Sequence, residues 1–150
     1  MSEIFEPRDP DYIRKVEESF AAQAAMQTVG ASLKSVSPGQ VEIEMPYRIE
    51  NTQQNGFVHA GIASTIMDSA CGYAAYSLMP MGASVLTIEY KINLLSPAEG
   101  DYFLAIGRVR KAGRTVSVAE ADLIATLNGR EKLVAIMTGT LMAVYPRSEE

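Results

Sequence analysis

Residues 55–79 read NGFVHAGIASTIMDSACGYAAYSLM: a polar loop carries the chain's one histidine, His59, into an apolar segment of helical length. A helix on a protein surface shows one apolar stripe and one charged face. Here Asp68 is the only charge between Ala60 and Met79, and Ala60, Gly61, Ala63, Ser64, Ser69, Ala70, Gly72, Ala74 and Ala75 keep the side chains small. Such a segment belongs in the interior, with strands approaching it closely from several sides. A lone carboxylate there is costly to ionise unless it is paired, hydrogen-bonded or at an interface, so Asp68 is the residue a functional account has to explain.

Outward from this segment, the C-terminal half is a succession of strands. Residues 83–95 alternate, with Leu86, Ile88, Tyr90, Ile92 and Leu94 expected on one face and Thr87, Glu89, Lys91 and Asn93 on the other. Residues 101–111 and 115–127 form a hairpin about Ala112-Gly113-Arg114, and Asn128-Gly129 turns the chain into a last strand over 130–145. On the N-terminal side, Tyr12, Val16 and Phe20 recur at helical spacing and predict one amphipathic surface helix over 11–26. Strands over 28–37 and 40–47 meet at the Ser37-Pro38-Gly39 turn. Residues 1–10 and 146–150 are expected to be loose tails. This order predicts a single α+β domain over 1–150: a curved antiparallel sheet of five or six strands wrapped around a central helix, with an additional N-terminal helix.

The length, 150 residues, suits one domain with a real core. A net charge of −5 argues against sequence-independent nucleic-acid binding, which needs a basic surface. Cys71 is alone, so neither a disulfide framework nor a cysteine metal cluster is expected. The charged start, MSEIFEPRDPD, lacks the pattern of a signal peptide, and no apolar run reaches membrane-spanning length; the expectation is a cytoplasmic protein that does not engage a membrane.

Four features can carry chemistry. Asp68 is either a helix carboxylate satisfied by a local donor or a general base or nucleophile in a partly dry pocket. His59 either orders the loop and positions substrate or is a histidine satisfied by backbone carbonyls; one histidine builds no multi-histidine metal site, and no GxSxG supports a serine triad. The helix start offers the amides of Ala60 and Gly61 at the positive end of the helix dipole, where an oxyanion on a thioester or ester carbonyl can be held, or simply an ordinary capped terminus. Arg108, Arg110, Lys111 and Arg114 cluster about the turn that contains Gly113. They are either a solvated hairpin end paired with Glu120 and Asp122 or an anion site matching the phosphates of coenzyme A.

The run Gly56-Phe57-Val58-His59-Ala60-Gly61, followed by Asp68-Ser69-Ala70, resembles the hotdog-fold acyl-CoA thioesterases, in the branch of the phenylacetate-pathway thioesterase and thioesterase superfamily member 2. Leu94-Leu95-Ser96-Pro97-Ala98 and Lys111-Ala112-Gly113-Arg114 add to the likeness, which spans about residues 49–145. The resemblance implies hydrolysis of an acyl-CoA to a free acid and coenzyme A. Asp68 would be base or nucleophile, and the amide of Ala60 or Gly61 the oxyanion donor. Gln53 stands where the family usually has an asparagine that helps hold water or thioester, with Asn51 and Asn55 nearby as substitutes; Asn55 and the basic turn would bind substrate. Thr87 aligns with a hydroxyl supplied by the opposite subunit. A homodimer that pairs into a homotetramer is implied, with no metal or redox cofactor; coenzyme A enters only as part of the substrate. His-Gly-Gly of the family is His59-Ala60-Gly61 here, which keeps a backbone contact available provided Ala60 has an ordinary φ. The rivals are a hotdog dehydratase or hydratase acting on 3-hydroxyacyl thioesters, and a non-catalytic acyl-CoA binder. An aryl or medium-length acyl group would suit walls drawn from Met67, Tyr73, Met79 and Met81.

Overall fold

The computed structural model describes residues 3–147. Two short helices, α1 (Tyr12–Ala22) and α2 (Ala24–Val29), precede β1 (Ser32–Ser37) and β2 (Gln40–Pro46). A single 3-10 turn, Ile49–Asn51, leads into the loop before α3 (Ala60–Tyr76). Then come β3 (Ser84–Leu94), β4 (Tyr102–Lys111), β5 (Val116–Leu127) and β6 (Arg130–Val144). All pairings are antiparallel, and one six-stranded sheet runs β1-β2-β4-β5-β6-β3.

The sheet curls around α3, as the missing polar face of that segment required. Ala63, Ile66, Met67, Ala70, Cys71 and Ala74 are buried against Phe103, Ala105, Ala119, Ala121, Leu123, Met137 and Leu141 of the central strands. Small residues on both partners set the spacing. At Gly107 a Cβ atom would lie 2.2 Å from the carbonyl oxygen of Ala70, so only glycine lets β4 pass under the helix there. The Asn128-Gly129 hairpin forms as its sequence dictates, with φ of 51° and 76°.

The N-terminal region departs from the expectation of one helix and a strand from residue 28. The helix breaks at Gln23 (φ −81°, ψ 97°), and α2 continues to Val29 before Gly30 caps it in the left-handed conformation, so β1 starts at Ser32. Nothing in Ala22-Gln23-Ala24-Ala25 disfavours helix locally; the break is tertiary. The Gln23 side chain turns onto α3, where its Oε1 accepts from Ser69 Oγ (3.4 Å) and Tyr73 Oη (3.3 Å).

The expected loose tail is irregular over 3–10 but tied down at two points. Phe5 packs over Gly39 and against the core. Buried Asp9 accepts from the Asp11 amide (2.9 Å) and pairs with Lys15, whose Nζ donates to the Met79 carbonyl (2.8 Å) and lies over the Tyr76 ring. Residues 148–150 of the expected C-terminal tail, like residues 1 and 2, lie outside the described residues.

The two-faced reading of β3 also needs correction. A bulge between Thr87 and Glu89 shifts its register against β6. Tyr90, Ile92 and Leu94 stand opposite Gly139, Met137 and Ala135, on the side of α3. Leu86 stands opposite Met142 on the outer side, and Thr87 opposite Leu141 points inward. The bulge therefore aims Thr87 at the helix, which an uninterrupted alternation would not do.

Candidate active site

Asp68 sits mid-way along α3, where the helix passes β3. Thr87 Oγ1 donates to Asp68 Oδ1 at 2.8 Å, and Oδ2 has no hydrogen-bond partner among the described residues. Burial pushes the Asp68 carboxyl above the usual carboxylate range, and the threonine hydrogen bond offsets this only in part. Thr87 thus reaches Asp68 within the same chain. The carboxylate opens on a cavity of about 510 Å³ walled by α1, α3 and β3, with Ser19, Gln23, Ser69, Tyr73 and Thr87 on its surface. Of the apolar walls expected, only Tyr73 is there: Met67 and Met79 are buried in the core and Met81 is exposed.

The start of α3 forms a second cavity, about 630 Å³, bordered by Gln53, Phe57, His59, Ala60, Leu94 and Pro97. His59 is the N-cap, and its Nδ1 accepts from the Gly61 amide at 2.8 Å. A Cβ on residue 61 would come within 3.0 Å of that nitrogen, which is why glycine follows at this spacing. The cap spends one of the two amides proposed as oxyanion donors: Gly61 N–H is occupied. Ala60 N–H, at the first helical position, has no partner among the described residues and is the available donor. The cavity also holds the Leu94-to-Ala98 segment, fixed by a hydrogen bond from the Val58 amide to the Ala98 carbonyl (3.0 Å).

Gln53 lines this cavity and its Oε1 accepts from the Asn55 amide. Asn51 does not substitute for it: it is buried, donating through Nδ2 to the Val29 carbonyl (2.7 Å), while its carbonyl accepts from the His59 amide (2.9 Å). Asn51 is the rivet between α2 and the loop, a role its sequence context did not reveal. Asn55 is exposed and does not border the cavity.

The basic turn divides. Arg108 pairs with Asp122 (3.1 Å) and Arg110 with Glu120 (3.8 Å), both exposed, on the diagonal of the β4–β5 ladder. These two guanidiniums are neutralised, the solvated-hairpin reading. Lys111 and Arg114 are exposed and make no ion pair among the described residues. Gly113 is required by the turn itself, since a Cβ there would meet the Val116 carbonyl oxygen at 1.9 Å. No three His, Cys, Asp or Glu side chains converge on a possible metal position among the described residues, and no helix is long and apolar enough to cross a membrane.

The two cavities matter together. Ala60 and Asp68 are eight residues apart on one helix, about 12 Å at the α-helical rise. Within one chain the Ala60 amide and the Asp68 carboxylate are therefore too far apart to act on the same carbonyl.

Comparison with known proteins agrees with this architecture. The family model described as the thioesterase superfamily matches residues 55–129, from the loop before α3 through the β5–β6 turn. A crystal structure of a thioesterase family protein from Silicibacter pomeroyi is 52% identical and superposes with a TM-score of 0.89 over 90% of this chain and 99% of that one. Acyl-coenzyme A thioesterase 13 of Homo sapiens is 30% identical over 105 residues, 69% of this chain and 73% of that protein. The Escherichia coli PaaI protein of the phenylacetic acid degradation operon, at 20% identity and a TM-score of 0.80 over 91% of this chain and 96% of that one, shares the fold. The helix wrapped by an antiparallel sheet is the hotdog architecture, with the two N-terminal helices added.

Proposed function

Because the chain belongs to the thioesterase superfamily, we propose that it hydrolyses an acyl-coenzyme A to a carboxylic acid and free coenzyme A, at a site completed by a second copy of itself. The observation that carries this reading is the free oxygen of a half-buried carboxylate, held by Thr87 and facing a cavity, on a helix whose start offers one unpaired amide. β3 is an edge strand paired only with β6, and it exposes Leu86, Ile88, Tyr90 and Leu94, an apolar edge that a lone protein would cover or blunt. Thr87 and Asp68 lie toward one end of β3, and Leu94 and Ala60 toward the other. Antiparallel pairing of two β3 edges about a twofold near their midpoint sets the carboxylate half-site of each copy beside the oxyanion half-site of the other. Whether such dimers pair again into a tetramer does not alter the site.

At the joined site the Ala60 amide of one copy polarises the thioester carbonyl. Asp68 of the other attacks that carbonyl or takes the proton of an attacking water. The C–S bond then breaks, and the coenzyme A thiolate leaves with a proton from solvent; on the nucleophilic route the acyl–Asp68 anhydride so formed is hydrolysed by water, which releases the acid and restores the carboxylate. A donated hydrogen bond to the oxyanion contributes roughly 3 kcal/mol to the barrier reduction in enzymes of this chemistry. Gln53 and the His59 ring shape the amide's side of the cleft, and Lys111 and Arg114 are the cations left for a phosphate of the cofactor moiety. The reaction as written needs neither metal nor redox cofactor. Thiol release from a panel of short, medium, long and aryl acyl-CoAs tests the reading: release from at least one member should fall by about 10²-fold or more in Asp68→Asn. Equal release by both proteins contradicts it, and tight acyl-CoA binding without turnover converts the protein into a binder.

A further inference from the structure

The apolar edge of β3 carries two charges, and they restrict how a second copy can lie along it. Beyond the bulge the strand alternates regularly. Tyr90, Ile92 and Leu94 point to the α3 side, whereas Glu89, Lys91 and Asn93 stand opposite Thr140, Thr138 and Ile136 on the outer side. Glu89 and Lys91 are both exposed. Glu89 accepts from Thr140 Oγ1, and Lys91 makes no ion pair among the described residues. Tyr90 lies on the core side beside Gly139, yet it is 44% exposed because β3 has no neighbour on this edge.

Two identical strands pair antiparallel about a twofold axis that runs between them, and pleating sets residues of one face opposite residues of the same face. The axis therefore passes at a residue that meets its own copy, not between two residues. At Glu89 it would set two carboxylates opposite each other, and at Lys91 two ammonium groups, both unfavourable. At Tyr90 it sets Glu89 of each copy opposite Lys91 of the other, twice by symmetry, and brings the two exposed tyrosine rings together. At Ile92 neither charge meets its opposite.

From this pattern we infer that Tyr90 lies on the twofold axis and that Glu89 and Lys91 are positioning residues. Their cross-pairing sets the register in which the Asp68 carboxylate of one copy meets the Ala60 amide of the other. The inference rests on the shared-site reading above and specifies how the second copy docks. In this register the Thr87 end of one β3 runs along the Ile92-to-Leu94 end of the other, and Leu94 borders the Ala60 cavity. Moving the axis by one residue slides the strands by two, roughly 7 Å, and parts the amide from the carboxylate. Exposed ion pairs add little to stability; here they act by excluding the neighbouring registers.

Single cysteines locate the axis. Tyr90→Cys, Glu89→Cys and Lys91→Cys are each oxidised mildly in a chain whose one native cysteine, Cys71, is buried. Directly opposite residues have Cα atoms about 4.5–5.5 Å apart, within disulfide reach, whereas a residue one step off the axis is too far from its own copy. Tyr90→Cys should give at least fivefold more covalent dimer on a denaturing gel than either neighbour. Cross-linking through Glu89→Cys or Lys91→Cys instead, or through none of the three, overturns the inference. Charge exchange tests the positioning role. Lys91→Glu should raise the dimer dissociation constant by about tenfold in sedimentation, with thiol release falling in step at limiting protein. Adding Glu89→Lys restores both pairs with their signs exchanged and should return both readings to within threefold of the wild type. An exchange no better than Lys91→Glu alone overturns the pairing. A wild-type protein that releases thiol while its cysteine variants cross-link elsewhere keeps the hydrolase reading and loses this inference. No thiol release from any acyl-CoA removes the hydrolase reading, and the positioning role with it.

Discussion

At the scale of single residues, the proposed site rests on one amide and one carboxylate, and each can be removed with little else disturbed. Ala60 occupies the first position of α3, where proline is well tolerated because the N–H has no intrahelical partner, and His59 (φ −59°, ψ 138°) already has the extended conformation that precedes proline. Ala60→Pro therefore deletes the proposed oxyanion donor alone. The expected result is a loss of about 10²-fold or more in kcat with the melting temperature nearly unchanged, read by steady-state kinetics and a thermal scan.

Asp68 has the opposite signature. Burial raises its pKa in the fold, so the native state holds a proton more tightly than the unfolded chain, and this group's contribution to stability falls as pH rises from the ordinary carboxylate range through the raised value. Asp68→Asn should consequently be more stable than the wild type at neutral pH, with the difference shrinking as pH falls through that window, measured by urea unfolding across pH. In the wild type the acid limb of kcat/KM should lie above the range of an exposed aspartate for the same reason.

Much of this was legible in sequence, because a single charge in an apolar helix is conspicuous. His59 as an N-cap acceptor was not, since histidine is not a preferred cap and only the glycine two residues on makes room for the ring. Nor was Gln23: its role comes from Ser69 and Tyr73, 46 and 50 residues away, and no local signal marks it.

At the scale of elements, the packing of α3 on the sheet is governed by glycine and alanine. Gly107→Ala places a methyl group 2.2 Å from the Ala70 carbonyl oxygen in a region where neither backbone can retreat without opening the core. The expected cost is about 3 kcal/mol, seen as a lowered denaturant midpoint, with loss of activity only through loss of fold. In the sequence this glycine lies inside the strand expected over 101–111 and was not singled out, because which element approaches it is a matter of tertiary structure. The same division explains β3. Its alternation was readable, but the bulge that turns Thr87 inward and Leu86 outward depends on pairing with β6 and leaves no mark in composition. The helical N-terminal segment was expected unbroken for an equivalent reason: propensity favoured continuity, and the contacts that break it are long-range.

At the scale of the whole molecule, the account stands on the separation of the two half-sites along α3 and on the bare edge of β3. A site shared between copies makes a sharp demand on mixed assemblies. In a dimer of one Asp68→Asn chain and one Ala60→Pro chain, one site carries both lesions and the other carries none. The direct measurement is therefore thiol release by the purified mixed dimer, made by co-expressing the two inactive variants under different affinity tags. About half of the wild-type rate per dimer is expected, because one of its two sites is intact. A mixed dimer as inactive as either parent would place amide and carboxylate in the same chain's site, and would contradict the assembly of this active site across two copies.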